Sequence, residues 1–429
     1  MPLGKAAGLQ RLGVVLGLGR PAGWGDVALV PWYGFPMASS EPPGRIASLT
    51  FTRYRSFREA ERLDLAPITV LLGKNNVGKS SLLRLPLFAT LPFAPAGPAT
   101  PFPLDDARLG PPHGASLAEV IHEGDYAGLE VGLSLADGRA WSLAATVIPE
   151  RSNAQRLLGL TADGVPTRPS DLAAARSGLA SGKLAWLYEG CDFVGHDREL
   201  PWRTDVYPGQ PPARVGGRGE DTFKAIQAAA GVTGDDAGFA RLSQWFRDAL
   251  DLRLVHEFHA ERSEIRVSFA AAGRSPRPPD QCGAGVGQVL PVAVAALCPP
   301  PDSPRHLLAI EYPESQLHPA AHADVAEMLL QGLRAFPERQ ILLETHSDPL
   351  TLRLRAMVAE GRLSPSELRF YYVGGPDESA RLRQIQLDEE ATPLWWPKGV
   401  FAEPQAEFVR IRRALQSREH PEDAGGRVG

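Results

Sequence analysis

Eight consecutive residues, Gly73-Lys74-Asn75-Asn76-Val77-Gly78-Lys79-Ser80, set two glycines five positions apart and follow the second with a lysine and a serine. Glycines at this spacing let the main chain curl until successive N–H groups face a single anion. Lys79 adds a compact positive charge that reaches the outer phosphates of a triphosphate. The Ser80 hydroxyl offers one oxygen to Mg²⁺, and Ser81 can extend the set to the innermost phosphate. Gly73, Asn75, Asn76, Gly78, Lys79, Ser80 and Ser81 are therefore the candidate binding residues for ATP, with Mg²⁺ as its companion ion. Lysine occurs six times against 39 arginines, and two of the six are Lys74 and Lys79. A chain that so prefers arginine keeps lysine where a small, mobile ammonium is wanted.

A second cluster lies far along the chain. Leu307-Leu308-Ala309-Ile310 is an apolar run that ends in Glu311-Tyr312-Pro313-Glu314. A strand of this kind is expected beside the strand that feeds the glycine-rich loop, with Glu311 holding Mg²⁺ through water. Gln340–Glu344 is a further apolar strand ending at Glu344-Thr345-His346-Ser347.

These residues need a scaffold that alternates strands and helices. Pro67–Leu72 is expected as a short buried strand before the loop, and Lys79 opens a helix that Pro86 should kink or end. Val289–Leu297 and Pro319–Phe336 read as helices, and Asp348-Pro349 opens another that closes near Gly361. Leu368–Val373 and Arg381–Leu387 read as a terminal hairpin. Strands in alternation with helices predict an α/β fold on a mainly parallel sheet. Residues 92–275 are expected as a mixed α+β insertion between the two halves of the site, 45–91 and 276–415. Residues 1–44, rich in glycine and proline, are expected as a disordered leader with Met37 as an alternative start, and 416–429 as a flexible tail.

Composition bounds the rest. Hydrophobic residues are 43% and charged residues 22%, the balance of a soluble globular chain, and no run is long and apolar enough to span a membrane. Three widely spaced cysteines argue against a disulfide framework and for a reducing cytoplasm. The net charge of −5 gives no support to nucleic-acid binding. The arginines at 198, 203, 214 and 218 alternate with acids, which reads as a solvated face. His256 and His259 stand three apart, the wrong spacing for a zinc-binding helix.

Residues 311–319, Glu-Tyr-Pro-Glu-Ser-Gln-Leu-His-Pro, resemble a segment of RecF/SMC-like ABC-type ATPases, with the nearest likeness to OLD-family-like bacterial AAA ATPases. Arg53–Phe57 is similar to the opening strand of that group, Gly283–Pro291 to its signature loop, and Glu344–Ser347 to its switch-histidine motif. The resemblance implies a P-loop NTPase fold of the ABC/RecF-like kind and a homodimer that closes head to tail around two nucleotides. Gly285, Gly287 and Gln288 would then reach across to the partner's nucleotide, and His346 would face the γ-phosphate. It also implies that Tyr312 stands where a water-polarising glutamate is usual, so that either Glu314 substitutes or turnover is slow. Gly287 stands where a serine is usual, which weakens the expected contact across the dimer. His318 is expected as a cap or dimer contact. The nuclease domain common in OLD-type proteins has no room after His346, so a separate effector is expected, in DNA repair or phage defence. A dimer held by ATP that recruits or restrains a partner nuclease or toxin, with negligible hydrolysis, is the alternative.

Overall fold

A computed structural model describes residues 44–93, 102, 104, 116–124, 127–147, 155–162, 165–167, 185–199, 203–212, 214–232, 236–299, 306–374, 380–401 and 407–412. The expected leader (save Gly44) and the expected tail lie outside the described residues.

Strands β1 (Ile46–Thr52), β2 (Glu61–Asp64) and β3 (Ile68–Leu72) lead to helix α1 (Lys79–Thr90). Strands β4 (Leu129–Leu135), β5 (Ala140–Val147), β6 (Gln155–Ala162), β7 (Val165–Thr167), β8 (Cys191–Val194) and β9 (Thr204–Val206) follow. Next come helix α2 (Asp236–Leu250), strands β10 (Leu252–His259) and β11 (Glu264–Ala271), and helix α3 (Ala284–Leu297). The C-terminal third runs β12 (Leu307–Glu311), α4 (His322–Ala335), β13 (Gln340–Glu344), α5 (Asp348–Ala359), β14 (Leu368–Val373) and β15 (Leu382–Ile385).

The central sheet has the order β15-β14-β3-β13-β12-β8. All neighbours are parallel except β15, which returns antiparallel along β14. Strands β3, β12 and β13 are buried at every position, as parallel strands covered on both faces must be. The order corrects one expectation. Strand β12, which carries Glu311, is not next to β3; β13 lies between them. Two five-residue apolar runs look alike locally, and order in a parallel sheet is set by crossovers that leave no local mark on a strand.

A second, antiparallel sheet has the order β2-β1-β4-β5-β6-β7. Its apolar face meets α1, whose other side packs on the central sheet, so Leu82, Leu83, Leu85, Leu87 and Phe88 share one core with Phe51, Leu133, Leu143, Ala309 and Leu342. A helix enclosed by packing tolerates an internal proline, because burial of its apolar side chains offsets the lost main-chain hydrogen bond. The helix accordingly runs through Pro86 to Thr90 instead of ending there. On the opposite face of the central sheet, α2–α5 and the small sheet β10-β11-β9 build the other core.

The segment expected as a separate insertion is woven into both halves. β4–β7 extend the sheet begun by β1, and β8 is an edge of the central sheet. Buried Gln340 joins the two layers: its side-chain oxygen accepts from Ile46 N at 2.8 Å and its amide donates to Ile46 O at 2.9 Å.

Candidate functional site

The glycine-rich loop leaves the carboxyl end of β3, where ligand sites of open α/β sheets gather. Gly73 must be glycine, since a Cβ there would lie 2.3 Å from Val373 O. Gly78, at φ +100°, caps α1, and a Cβ would lie 2.9 Å from the Phe57 ring. Lys74, Asn75 and Asn76 are exposed, while the Lys79 side chain folds back over the loop and donates to Lys74 O at 2.6 Å. A cleft of about 620 Å³ flanks the loop, lined by Arg55, Ser56, Asn76, Val77, Ser81 and His122 among others.

The neighbouring strand end supplies the acid that meets this loop. Glu344 is 1% exposed. Its Oε2 accepts from Ser80 Oγ at 2.7 Å, and its Oε1 stands 3.4 Å from Lys79 Nζ and accepts from the Tyr312 hydroxyl at 2.6 Å. Burial pulls the Lys79 ammonium down from its ordinary range, and the Glu344 charge opposes that.

Tyr312 sits at φ +43°, a left-handed conformation that turns its ring across the end of β13. The ring stacks on His346 at 5.1 Å between centroids, and its hydroxyl lies 3.2 Å from His346 Nε2. Burial, then the Glu344 carboxylate, push the phenol far above its usual range, so it remains a hydrogen-bond donor. The exposed His346 imidazole is pushed down by partial burial and by Lys79, against Glu344.

Glu311 is fully buried and committed elsewhere. Arg84 Nη1 donates to its Oε1, and its Oε2 meets His196 Nδ1 at 2.6 Å and the His196 N–H at 3.1 Å. Glu314 accepts from Thr345 Oγ1 at 2.7 Å and from the His346 N–H at 3.2 Å. It thus braces the turn that carries His346. Its second oxygen is buried without a hydrogen bond, and burial raises its pKa. The structure therefore brings Lys79, Ser80, Tyr312 and His346 together around Glu344, while Glu311 and Glu314 each engage other groups.

Gly285, Gly287 and Gln288 do not lie in a loop, because α3 begins at Ala284 and they form its first turns. Gly285 packs on the chain's own Gln316, where a Cβ would come within 2.6 Å of the carbonyl oxygen. Gln288 is tied to Arg198: its side-chain amide donates to Arg198 O at 3.1 Å and its main-chain carbonyl accepts from Arg198 Nη1 at 2.9 Å. The same guanidinium donates to the carbonyls of Gly195, Glu311 and Tyr312. Arg198 is buried, which corrects its reading as part of a solvated face; its acidic neighbours Asp197 and Glu199 pair instead with Arg218. His318 caps its short helical turn through Nδ1, accepting from Ala320 N at 3.2 Å.

The fold as a whole has a counterpart among solved structures. The SmcHead bound to the C-winged helix domain of ScpA superposes with a TM-score of 0.50, at 13% identity, over 81% of this chain and 100% of that one. This is the fold of an ABC-type, RecF/SMC-like P-loop NTPase. The head domain of SMC from Thermotoga maritima (12% identity, 80% and 100% covered, TM-score 0.44) is also similar. So is the Smc head with an extended coiled coil from Pyrococcus furiosus, solved with the C-terminal domain of ScpA (12% identity, 87% and 100% covered, TM-score 0.48). Residues 220–353 match the family model described as "AAA domain, putative AbiEii toxin, Type IV TA system". No curated protein matches the chain in sequence.

The site has a donor set that suits a nucleotide with Mg²⁺. Both loop glycines approach other atoms too closely for a Cβ, and a serine hydroxyl and a carboxylate, hard oxygen donors, face each other at its mouth. Among the described residues no cluster of three or more His, Cys, Asp or Glu could hold a metal by itself, and no helix is long and apolar enough to cross a membrane. Sequence reading gave no role to Arg84 or His196, took Arg198 as part of a solvated face, and named Glu344 only within the switch-histidine segment. Only Glu344 left a signal, as the last residue of an apolar strand.

Proposed function

We propose that this chain binds ATP·Mg²⁺ in the Gly73–Ser81 cradle and hydrolyses it slowly, as a cytoplasmic switch for a separate effector. The observation that carries the reading is the P-loop itself: Lys79 and Ser80 converge at the mouth of a loop whose glycines allow no side chain. Main-chain N–H groups at the start of α1 face the phosphates, Lys79 offsets their charge, and Ser80 gives Mg²⁺ an oxygen. The cleft beside Ser81 is of a size to receive ribose and base.

Slow turnover follows from Tyr312. A phenol held protonated cannot take a proton from water, and loss of a positioned base lowers rates by about 10²–10⁴-fold. His346, neutral and exposed beside Tyr312, is placed to sense the γ-phosphate. Two heads would close head to tail, with Gly285, Gly287 and Gln288 at the start of α3 facing the partner's nucleotide. A head of this fold can bind a partner, as the SmcHead–ScpA structure illustrates, and the matched family's description joins such domains to toxin–antitoxin systems. Those two likenesses, together with OLD-type proteins, favour a role in phage defence or DNA repair with a nuclease or toxin as effector. The protonated Tyr312 also favours the second reading, a dimer held by ATP that restrains its partner with negligible hydrolysis.

Calorimetric titration with ATP and Mg²⁺ tests the core of this. Wild type should bind, and Lys79→Ala should lose about 10–150-fold in affinity, the worth of charge-assisted hydrogen bonds to phosphate. Absence of heat for folded wild type would overturn the reading. Steady-state phosphate release, lost in Lys79→Ala but measurable in wild type, separates the switch from the non-hydrolysing scaffold.

A further inference from the structure

Strand β10 is an outer strand of the small sheet β10-β11-β9, and among the described residues no strand pairs with its free side. On β11, Phe269 exchanges both main-chain hydrogen bonds with Arg277, each 2.8 Å, on the side away from β10. Antiparallel strands alternate, so Arg253, Val255, Glu257 and His259 direct their N–H and C=O groups to β11. Those of Leu252, Leu254, His256 and Phe258 point outward and have no partner among the described residues. A row of unpaired main-chain groups on an eight-residue strand is a template for another strand. We infer that the strand it takes is β10 of a second copy of this chain, paired antiparallel about a two-fold axis at Val255.

The main chain selects that register. With Val255 opposite the partner's Val255, Leu252 meets the partner's Phe258 and Leu254 meets the partner's His256. Every outward N–H and C=O then finds a partner, whereas a slide of one residue would set outward groups against inward ones. Charge selects the same register. Arg253 and Glu257 stand exposed on the solvent face of β10, and neither has an ion pair among the described residues. Each Arg253 comes to lie opposite the partner's Glu257, and facing pairs of opposite charge stabilise a sheet as like charges destabilise it. A slide of two residues sets Arg253 or Glu257 opposite Val255 instead. A slide of four sets arginine on arginine or glutamate on glutamate. The apolar face agrees as well: Leu252 would cover the partner's Phe258, whose ring is 40% exposed where it meets Tyr207 edge-on.

Two such strands meet along about 27 Å and cover less than the about 1,200 Å² of a standard interface, so the association is weak and separates at the dilution of a sizing column. It needs no nucleotide. A head that also closes on ATP would carry two contacts with its own kind, one switched by nucleotide and one constant. Closed pairs would then join into larger assemblies in which each contact strengthens the other. That consequence rests on the reading of the cradle as an ATP site; the pairing of β10 does not.

Sedimentation velocity of the nucleotide-free full chain over a rising concentration series tests the pairing. Wild type should move from monomer toward dimer, and Lys79→Ala should move with it. Arg253→Glu and Glu257→Arg each turn the facing pairs from attractive to repulsive, and should weaken association about tenfold or more. The double variant restores opposite charges and should regain the wild-type behaviour. Both positions are exposed, so each single variant should keep the wild-type melting temperature. Hydrogen exchange of the peptide covering β10 should slow with concentration in wild type and not in Arg253→Glu. A wild type that stays monomeric at every concentration, or single variants that associate as wild type does, overturns the pairing and leaves the ATP site untouched. Failure to bind ATP, with association intact, overturns the reading of the cradle alone.

Discussion

In the proposed function Tyr312 is the residue that makes hydrolysis slow. Its ring lies over His346 and its hydroxyl is given to Glu344, so the side chain acts as a fixed donor. Tyr312→Phe keeps the stacking and removes only the hydroxyl. Phosphate release should then change by no more than a few fold, far from the about 10²–10⁴-fold expected of a lost base. Stability should fall by about 1.5–3 kcal/mol, the cost of a buried hydrogen bond to a charged group. Release reduced a hundredfold in the folded variant would show that the phenol takes part in the chemistry. The sequence placed Tyr312 at the critical position and exposed it as a poor base. It did not disclose that Glu344 would be its partner, because contact between the ends of two different strands depends on strand order.

The elements show the same division between what is local and what is not. β13, β14 and the helix opening at Asp348 follow the expected bounds closely, since each is written in a run of apolar residues and a capping serine: Ser347 Oγ accepts from Leu350 N at 3.1 Å. The union of β1 with β4–β7 was illegible, as antiparallel pairing over about eighty residues leaves no short-range pattern. Gln340 measures how firmly that sheet is tied to the parallel one. Gln340→Ala strands the N–H and the carbonyl of Ile46 in a buried site and should cost about 2–5 kcal/mol in urea unfolding, summing two orphaned groups. A loss below 1 kcal/mol would mean that the layers hold without the clamp. At the head of β12, burial lowers the His306 pKa from 6.5 to about 4. The unfolded chain then binds a proton that the folded chain refuses, so this contribution is whole above pH 6.5 and falls away as pH drops toward 4. His306→Gln should flatten the slope of stability against pH in that window, and an unchanged slope would assign it to other groups.

For the whole molecule, the question is what one head can do without another. Its cradle, Glu344 and His346 come from one chain, yet that chain holds its own α3 start against Gln316 and Arg198, away from any role in its own cradle. Ala284 and Gly283 are exposed there. Arg198 joins this helix start to the carbonyls of Glu311 and Tyr312, so a pull on α3 reaches the end of β12 through one buried guanidinium. A nucleotide sandwiched between two heads would load that link from the partner's side, and slow turnover would let the closed state persist. Light scattering after size exclusion should therefore find a monomer without nucleotide and a dimer with ATP·Mg²⁺, and return to monomer on the hydrolysis timescale. Arg198→Lys keeps a charge but cannot span the same set of carbonyls, because an ammonium lacks the guanidinium fork. It should retain mant-ATP binding within about threefold, well under 1 kcal/mol, while weakening the dimer by about tenfold or more. If the variant dimerises like wild type, the guanidinium is a structural tie and the two heads communicate by another route.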